Sequence, residues 1–200
     1  MPLRKSHLPM ILLPLLAGGC ATTQVGGLGE SRPVQAMFTV CHGYGCEFRT
    51  QIPIGQKVSD RFSAIMAAGA ASPEAERAAI SKAVQYFEDL AVQRHGVRDV
   101  PKSQAQSAGK KGQMDCIDES SNTRHLLLYL QSRGLLKHHK VQSNVSRGFL
   151  LDGRYPHWTA VVSDPSGKKW VVDSWFEPGG GAPDIVPLDY WRTRGVMGER

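Results

Sequence analysis

The sequence predicts an α+β fold, with helices first and an antiparallel meander after them. Three observations carry this. Residues 72–95 hold the clearest helical pattern, a second helix starts near Asp115-Cys-Ile-Asp-Glu-Ser and runs to about Ser132, and residues 141–172 break into short strand-like stretches. The composition is that of an ordinary globular chain. Of 200 residues 41% are hydrophobic, and the 21 Gly and 12 Pro are too scattered for a collagenous or low-complexity segment. A formal charge of +6 permits a nucleic-acid partner. The basic residues have no aromatic interleaving, so no nucleic-acid surface is expected.

The N-terminal residues read as an address. Arg4 and Lys5 precede a mostly apolar run of ten residues from Leu8 to Ala17. That run is too short to cross ~30 Å of hydrocarbon as a helix and has the proportions of a secretory signal. It ends in Leu16-Ala-Gly-Gly-Cys20, which resembles a bacterial lipoprotein signal. The resemblance implies lipidation of Cys20 and loss of residues 1–19, leaving 181 residues with a formal charge of +4. Ala21, in place of aspartate, resembles the enterobacterial signal for the outer membrane, so the expected location is its periplasmic face. Residues 20–33, with Gly26, Gly27, Gly29 and Pro33, would be a flexible tether. A single domain is expected over 34–200, its N-terminal hairpin and helix over 34–109 and its chemistry over 110–191.

Within that domain, residues 36–54 read as a β-hairpin. Phe48, Thr50, Ile52 and Ile54 alternate with Glu47, Arg49, Gln51 and Pro53, the period of a half-buried strand. Cys41 and Cys46 bracket the turn His42-Gly-Tyr-Gly45. Residues facing across a hairpin have Cβ atoms ~4.5–5.5 Å apart, close to what a disulfide needs. An oxidising compartment would let a Cys41–Cys46 bridge persist. A metal site of Cys41, His42 and Cys46 is the alternative, but no second ligand cluster supports it, and no metal is expected. The spacing is also not the Cys-x-x-Cys of a redox protein.

The helix at 72–95 has Ser72 as cap, Pro73 at its first position and Glu74 and Glu76 in its first turn. Ile80, Ala83, Val84, Phe87, Leu90 and Ala91 form one apolar stripe, and Gly96 stops it. Residues 96–113 read as an irregular connector whose Lys102, Lys110 and Lys111 are solvated. The second helix carries Cys116, Ser120, Thr123, Leu127 and Leu130 on its inner face and ends at Gly134. His138 and His139 then read as exposed. The strands expected are Val141–Val145 with Phe149–Leu151, then Trp158–Val162, then Lys169–Val172.

With Cys20 assigned to lipid and Cys41 to Cys46, Cys116 is the remaining thiol. It lies in a first helical turn, where free N–H groups and the positive dipole end favour a thiolate. A nucleophilic cysteine also needs a base and a group that orients the base. The segment Asp164-Pro165-Ser166-Gly167 fits a type I turn followed by a left-handed glycine, which sets Asp164 opposite Lys168. Continued along the hairpin, that register puts Thr159 opposite Asp173 and His157 opposite Trp175. His157 and Asp173 then share a face as diagonal neighbours ~7–8 Å apart at the backbone. Asp173 could orient His157, and His157 could take the proton from Cys116.

The run Asp115-Cys-Ile-Asp118, the later Leu-Leu and Gly134, Pro156-His-Trp-Thr-Ala-Val-Val162 and Trp170-Val-Val-Asp173 together resemble the transglutaminase-like cysteine-protein superfamily. The resemblance covers roughly residues 110–191. It implies a papain-like core in which a helix bearing the cysteine packs on an antiparallel sheet bearing His and Asp. It also implies Cys116 as nucleophile, His157 as general base and acid, and Asp173 as orienting carboxylate. The oxyanion donor is not carried by these motifs; Gln113 and the backbone N–H of Cys116 are the candidates. Some bacterial relatives bind calcium beside the cysteine, but helix capping accounts for Asp115, Asp118 and Glu119 without a cofactor. Trp175, Trp191 and Tyr155 could rim the cleft, with core packing the default for aromatics. The expected activity is acyl transfer at an amide of an envelope protein or cell-wall peptide, as a peptidase or amidase. A crosslinking transglutaminase, or a non-catalytic binding or scaffold lipoprotein, is the alternative.

Overall fold

The structure is a computed structural model and describes residues 36–195 apart from Val97 and Leu150. The expected signal peptide 1–19, the lipid attachment at Cys20 and the tether 20–33 lie outside the described residues. Gln35–Arg200 forms one compact unit, and its fold is α+β with antiparallel pairing throughout. Among the described residues no helix is long and apolar enough to cross a membrane.

Strands β1 (Met37–His42) and β2 (Phe48–Pro53) form the hairpin, with Phe38 opposite Ile52 and both buried. Cys41 and Cys46 are joined by a disulfide. The bridge does not run between facing strand residues, however. Cys41 pairs with Arg49 and His42 with Phe48, so Cys46 sits within the loop and the bridge closes that loop. His42, read from sequence as a turn residue, is the buried last residue of β1 and bonds Thr50 and the Gly112 N–H. The four residues Gly43 to Cys46 all have left-handed φ, at 91°, 72°, 60° and 61°. Tyr44 and Cys46 pay about 1–2 kcal/mol each for that conformation, so other contacts must hold them there.

Helix α1 (Gln56–Ala67) was not anticipated. Its Val58, Phe62, Ile65 and Met66 have helical spacing, but Gly55 supplies no side-chain cap and the first turn has no acid. Helix α2 (Pro73–His95) has the expected ends. Ser72 accepts the Ala75 N–H at 3.1 Å, and Gly96, at φ 77°, donates to the Val92 carbonyl. Helix α3 (Cys116–Ser132) is capped by Asp115, which accepts the Asp118 N–H at 2.9 Å.

The sheet is built on β5 (His157–Ser163). Strands β3 (Lys140–Val141) and β4 (Val145–Arg147) follow one another along one edge, and β6 (Lys169–Val172) takes the other. Lys140 faces Ser163 while Val145 faces Thr159, a one-residue slip absorbed by residues 142–144. No strand forms at Phe149 or Leu151. Asp152 accepts the N–H groups of Phe149 and Arg154, and Gly148 and Gly153 turn left-handed, which closes the segment into turns. Between β5 and β6, Gly167 (φ 84°) donates to Asp164, and Ala160 faces Val172, the register read from the sequence.

The two faces of this sheet serve different partners. Ala160, Val162 and Val172 join the main core with Leu126, Leu127 and Leu130 of α3, Phe87 of α2 and Phe38 of the hairpin. Val161 and Val171 face a smaller cluster with Leu188 and Trp191 of helix α4 (Leu188–Thr193). The cysteine-bearing helix therefore packs on the antiparallel sheet, and α4 covers the reverse face.

Candidate active site

His157 is the first residue of β5, and Asp173 follows the last residue of β6. Alternation puts both on the face that carries Val161 and Val171, which is why the imidazole and carboxylate meet. His157 Nε2 lies 2.8 and 3.0 Å from the two oxygens of Asp173. Both residues are buried, at 1% and 3% exposure. A carboxylate only accepts, so Nε2 carries a proton and donates, and in the neutral imidazole Nδ1 has a free lone pair. That Nδ1 is buried and has no hydrogen-bond partner. The ring is held by Trp175, Phe176 and Trp191, with centroids 4.5, 6.2 and 5.6 Å away.

Asp173 has two further donors. The Trp191 indole Nε1–H reaches it at 2.7 Å and the Trp175 backbone N–H at 3.3 Å. Burial alone would raise its pKa, but the His157 hydrogen bond and charge and the Trp191 donor outweigh burial and hold it below the ordinary carboxylate value. Trp191 and Trp175 are therefore buried parts of the support, the core packing that is the default for aromatics, and do not rim a cleft. Tyr155 is the exposed one, stacked on Trp175. Arg147 faces His157 across the β4–β5 ladder and lies 4.2 Å over the Trp191 ring.

Cys116 is the first residue of α3, free and only 7% exposed. Burial pushes its thiol up to about 11, a hydrogen bond from the Trp158 backbone lowers it, and Asp115 and Asp173 raise it further. The dipole argument from sequence favoured a resting thiolate. In the folded chain burial and two carboxylates overcome the helix terminus, and the resting group is a neutral thiol. The Trp158 contact puts the sulfur beside the residue that follows His157. No hydrogen bond joins the thiol to His157: α3 packs on the main-core face of the sheet, and the imidazole lies on the α4 face.

The other sequence candidates are occupied elsewhere. Gln113 donates from its side-chain amide to the Arg98 carbonyl at 3.1 Å and accepts the Val100 N–H at 3.4 Å, so it ties down the connector. That engagement leaves the Cys116 backbone N–H, at the open end of α3, as the oxyanion candidate. Of the three acids read as helix caps, Asp115 alone caps α3. Asp118 accepts the Tyr44 and Cys46 N–H groups at 2.8 and 2.5 Å. Its oxygens are taken by amides, which does not suit calcium. Glu119 is buried beside Asp99 and Glu88, which sequence reasoning missed. Burial first, then these neighbouring carboxylates, pushes Glu119 well above the ordinary range, and burial raises Asp99 and Glu88 to about 7. His139 is also buried, contrary to expectation. Its Nδ1 pairs with Glu76 at 2.7 Å, and Glu76 also accepts the His138 and His139 N–H groups.

Ile117, next to Cys116, and Trp158, next to His157, are 46% and 42% exposed. A broader groove between residues 136–142 and the Asp164–Gly167 turn, about 890 Å³, lies at the opposite end of β5 from His157. Compared with protein-family models, curated proteins and solved structures, the chain matches none.

Proposed function

We propose that this protein is a thiol acyl-transfer enzyme with a papain-like core, a cysteine peptidase or amidase similar to the transglutaminase-like superfamily. The observation that carries the reading is the His157–Asp173 pair. A buried imidazole is held by a carboxylate through Nε2, which leaves a bare Nδ1 on the residue next to the backbone that bonds the Cys116 sulfur. Cys116 is the nucleophile. As substrate enters, the start of α3 closes on the His157 end of β5, so that the thiol on the α3 side of the sheet meets Nδ1 on the α4 side. His157 takes its proton, and the sulfur attacks the amide carbonyl. Asp173 stabilises the imidazolium, the Cys116 N–H receives the developing oxyanion, and the imidazolium protonates the leaving amine. Water then resolves the acyl-enzyme. The substrate is an envelope protein or peptide, reached from the periplasmic face of the outer membrane by a chain anchored through Cys20. No cofactor enters this scheme.

The test uses a peptidyl acyloxymethyl ketone, which alkylates an attacking thiol. Wild type should gain one label at Cys116, and Cys116→Ala and His157→Ala should not. Labelling of Cys116 that persists in His157→Ala would sink the triad. Adding a fluorescent primary amine separates the two acceptors, since a transglutaminase would transfer the acyl group to the amine.

A second reading, a non-catalytic binding lipoprotein, is favoured by one observation: the thiol is buried and raised to about 11. It is upheld if the ketone leaves wild-type Cys116 unlabelled.

A further inference from the structure

We propose that the Cys41–Cys46 disulfide is a redox-controlled clamp on the first turn of α3, fixing Cys116 when oxidised and releasing it when reduced. The loop that the bridge closes delivers its amides to the helix start. Tyr44 and Cys46 donate to the two oxygens of Asp118, at 2.8 and 2.5 Å, and Gly45 donates to Asp115 at 3.1 Å. Backbone N–H groups of one left-handed turn, two on Asp118 and the one between them on Asp115, form an anion-holding nest at the helix start. Cys41 itself exchanges two hydrogen bonds with Asn122 of α3, N–H to Oδ1 at 2.8 Å and Nδ2–H to its carbonyl at 2.7 Å. Gly43 donates to the Gln113 carbonyl at 2.6 Å, gripping the segment that leads into the helix.

The nest exists only while residues 43–46 keep their left-handed course, which Tyr44 and Cys46 resist. The cross-link, joining residues whose Cα atoms are 4.5 Å apart, holds that course. Asp118 is fully buried, so a loop that lets go leaves a carboxylate without these donors, and the first turn must rearrange to hydrate it. Cys46 is half-buried where Cys41 is buried, so reductant reaches the Cys46 sulfur first. A dithiol's thiolate attacks that sulfur, Cys41 leaves as a thiolate and is protonated, and the second thiol releases Cys46. The protein gains two thiols and the reductant becomes a disulfide. The clamp stands on this geometry alone; its effect on turnover rests on Cys116 being the nucleophile.

Hydrogen exchange on the full chain tests it, comparing oxidised protein, protein reduced with a phosphine, and Cys41→Ser/Cys46→Ser, with the bridge state checked by intact mass. Exchange over 43–46 and 113–119 should accelerate at least tenfold, with the middle of α2 unchanged. Unchanged exchange at 113–119 with the bridge open overturns the proposal. So does equal acceleration across α2 and β5, which would make the bridge a general staple. If the double variant does not fold, Asp118→Asn with the bridge intact substitutes: its amide NH₂ opposes one loop N–H and should loosen the same two segments, and unchanged exchange refutes the clamp. Local loosening in a protein whose Cys116 takes no ketone label upholds the clamp and removes the enzyme reading.

Discussion

Asp173 carries more of the site than its place in the sequence suggests. It holds the His157 tautomer, and Trp191 and Trp175 hold it. Trp191→Phe removes one donor to a buried charged acceptor and should cost about 2 kcal/mol in urea unfolding. It should also raise the Asp173 pKa, readable by carbon NMR of the carboxyl. A loss below 0.5 kcal/mol would show that the indole contact is incidental. The His157–Asp173 pair was legible because hairpin parity follows from the Asp164–Gly167 turn alone. The engagement of Gln113 was not, because its partners Arg98 and Val100 lie in a connector without periodicity. The buried state of His139 was equally hidden, since it depends on Glu76, 63 residues away.

At the scale of elements, helices with chemical punctuation were readable. α2 begins and ends where Ser72, Pro73 and Gly96 say it should, and Ser72→Ala should cost about 1 kcal/mol. α1 lacks such marks and was missed, although its apolar spacing was there to read. The turn after α1 lies tight on α2 at Gly69, where a Cβ would lie 2.7 Å from the Glu76 Cα and 2.9 Å from the Ala79 Cβ. Gly69→Ala should therefore destabilise by about 1–3 kcal/mol through overpacking. An unchanged urea midpoint would contradict the close approach. The Phe149–Leu151 strand failed for the opposite reason. Its apolar residues suggested pairing, but Asp152 and two glycines bend the chain before a ladder can form.

Across the whole molecule, the sheet separates two environments. One face buries the main core, and the reverse face holds His157, Asp173 and the α4 cluster. Beside α3, the acids Glu88, Asp99 and Glu119 make stability depend on pH. Their folded pKa values are raised, to about 7 for Glu88 and Asp99, so the native chain keeps protons that unfolded carboxyls release near pH 4. Asp118, raised to about 6, adds to these acids. His95 and His42 oppose them, since burial lowers their pKa values, to about 4 for His95. The acids outweigh the histidines, so stability should fall from about pH 4 to about pH 7. The raised Cys116 thiol has the same sign above its unfolded value of about 8.5. Asp173, with a lowered pKa, works the other way and costs stability only below about pH 4. Urea midpoints at pH 5 and pH 8 should differ in that order, and Glu88→Gln should narrow the gap. A rise in stability from pH 5 to pH 8 would contradict the buried-acid account. The central claim, that Cys116, His157 and Asp173 act as one unit, is met most directly by acylation with an activated ester, followed by intact mass. Wild type should take one acyl group at Cys116, at a rate about 100-fold above that of His157→Ala or Asp173→Asn. A His157→Ala protein that acylates as fast as wild type would contradict it.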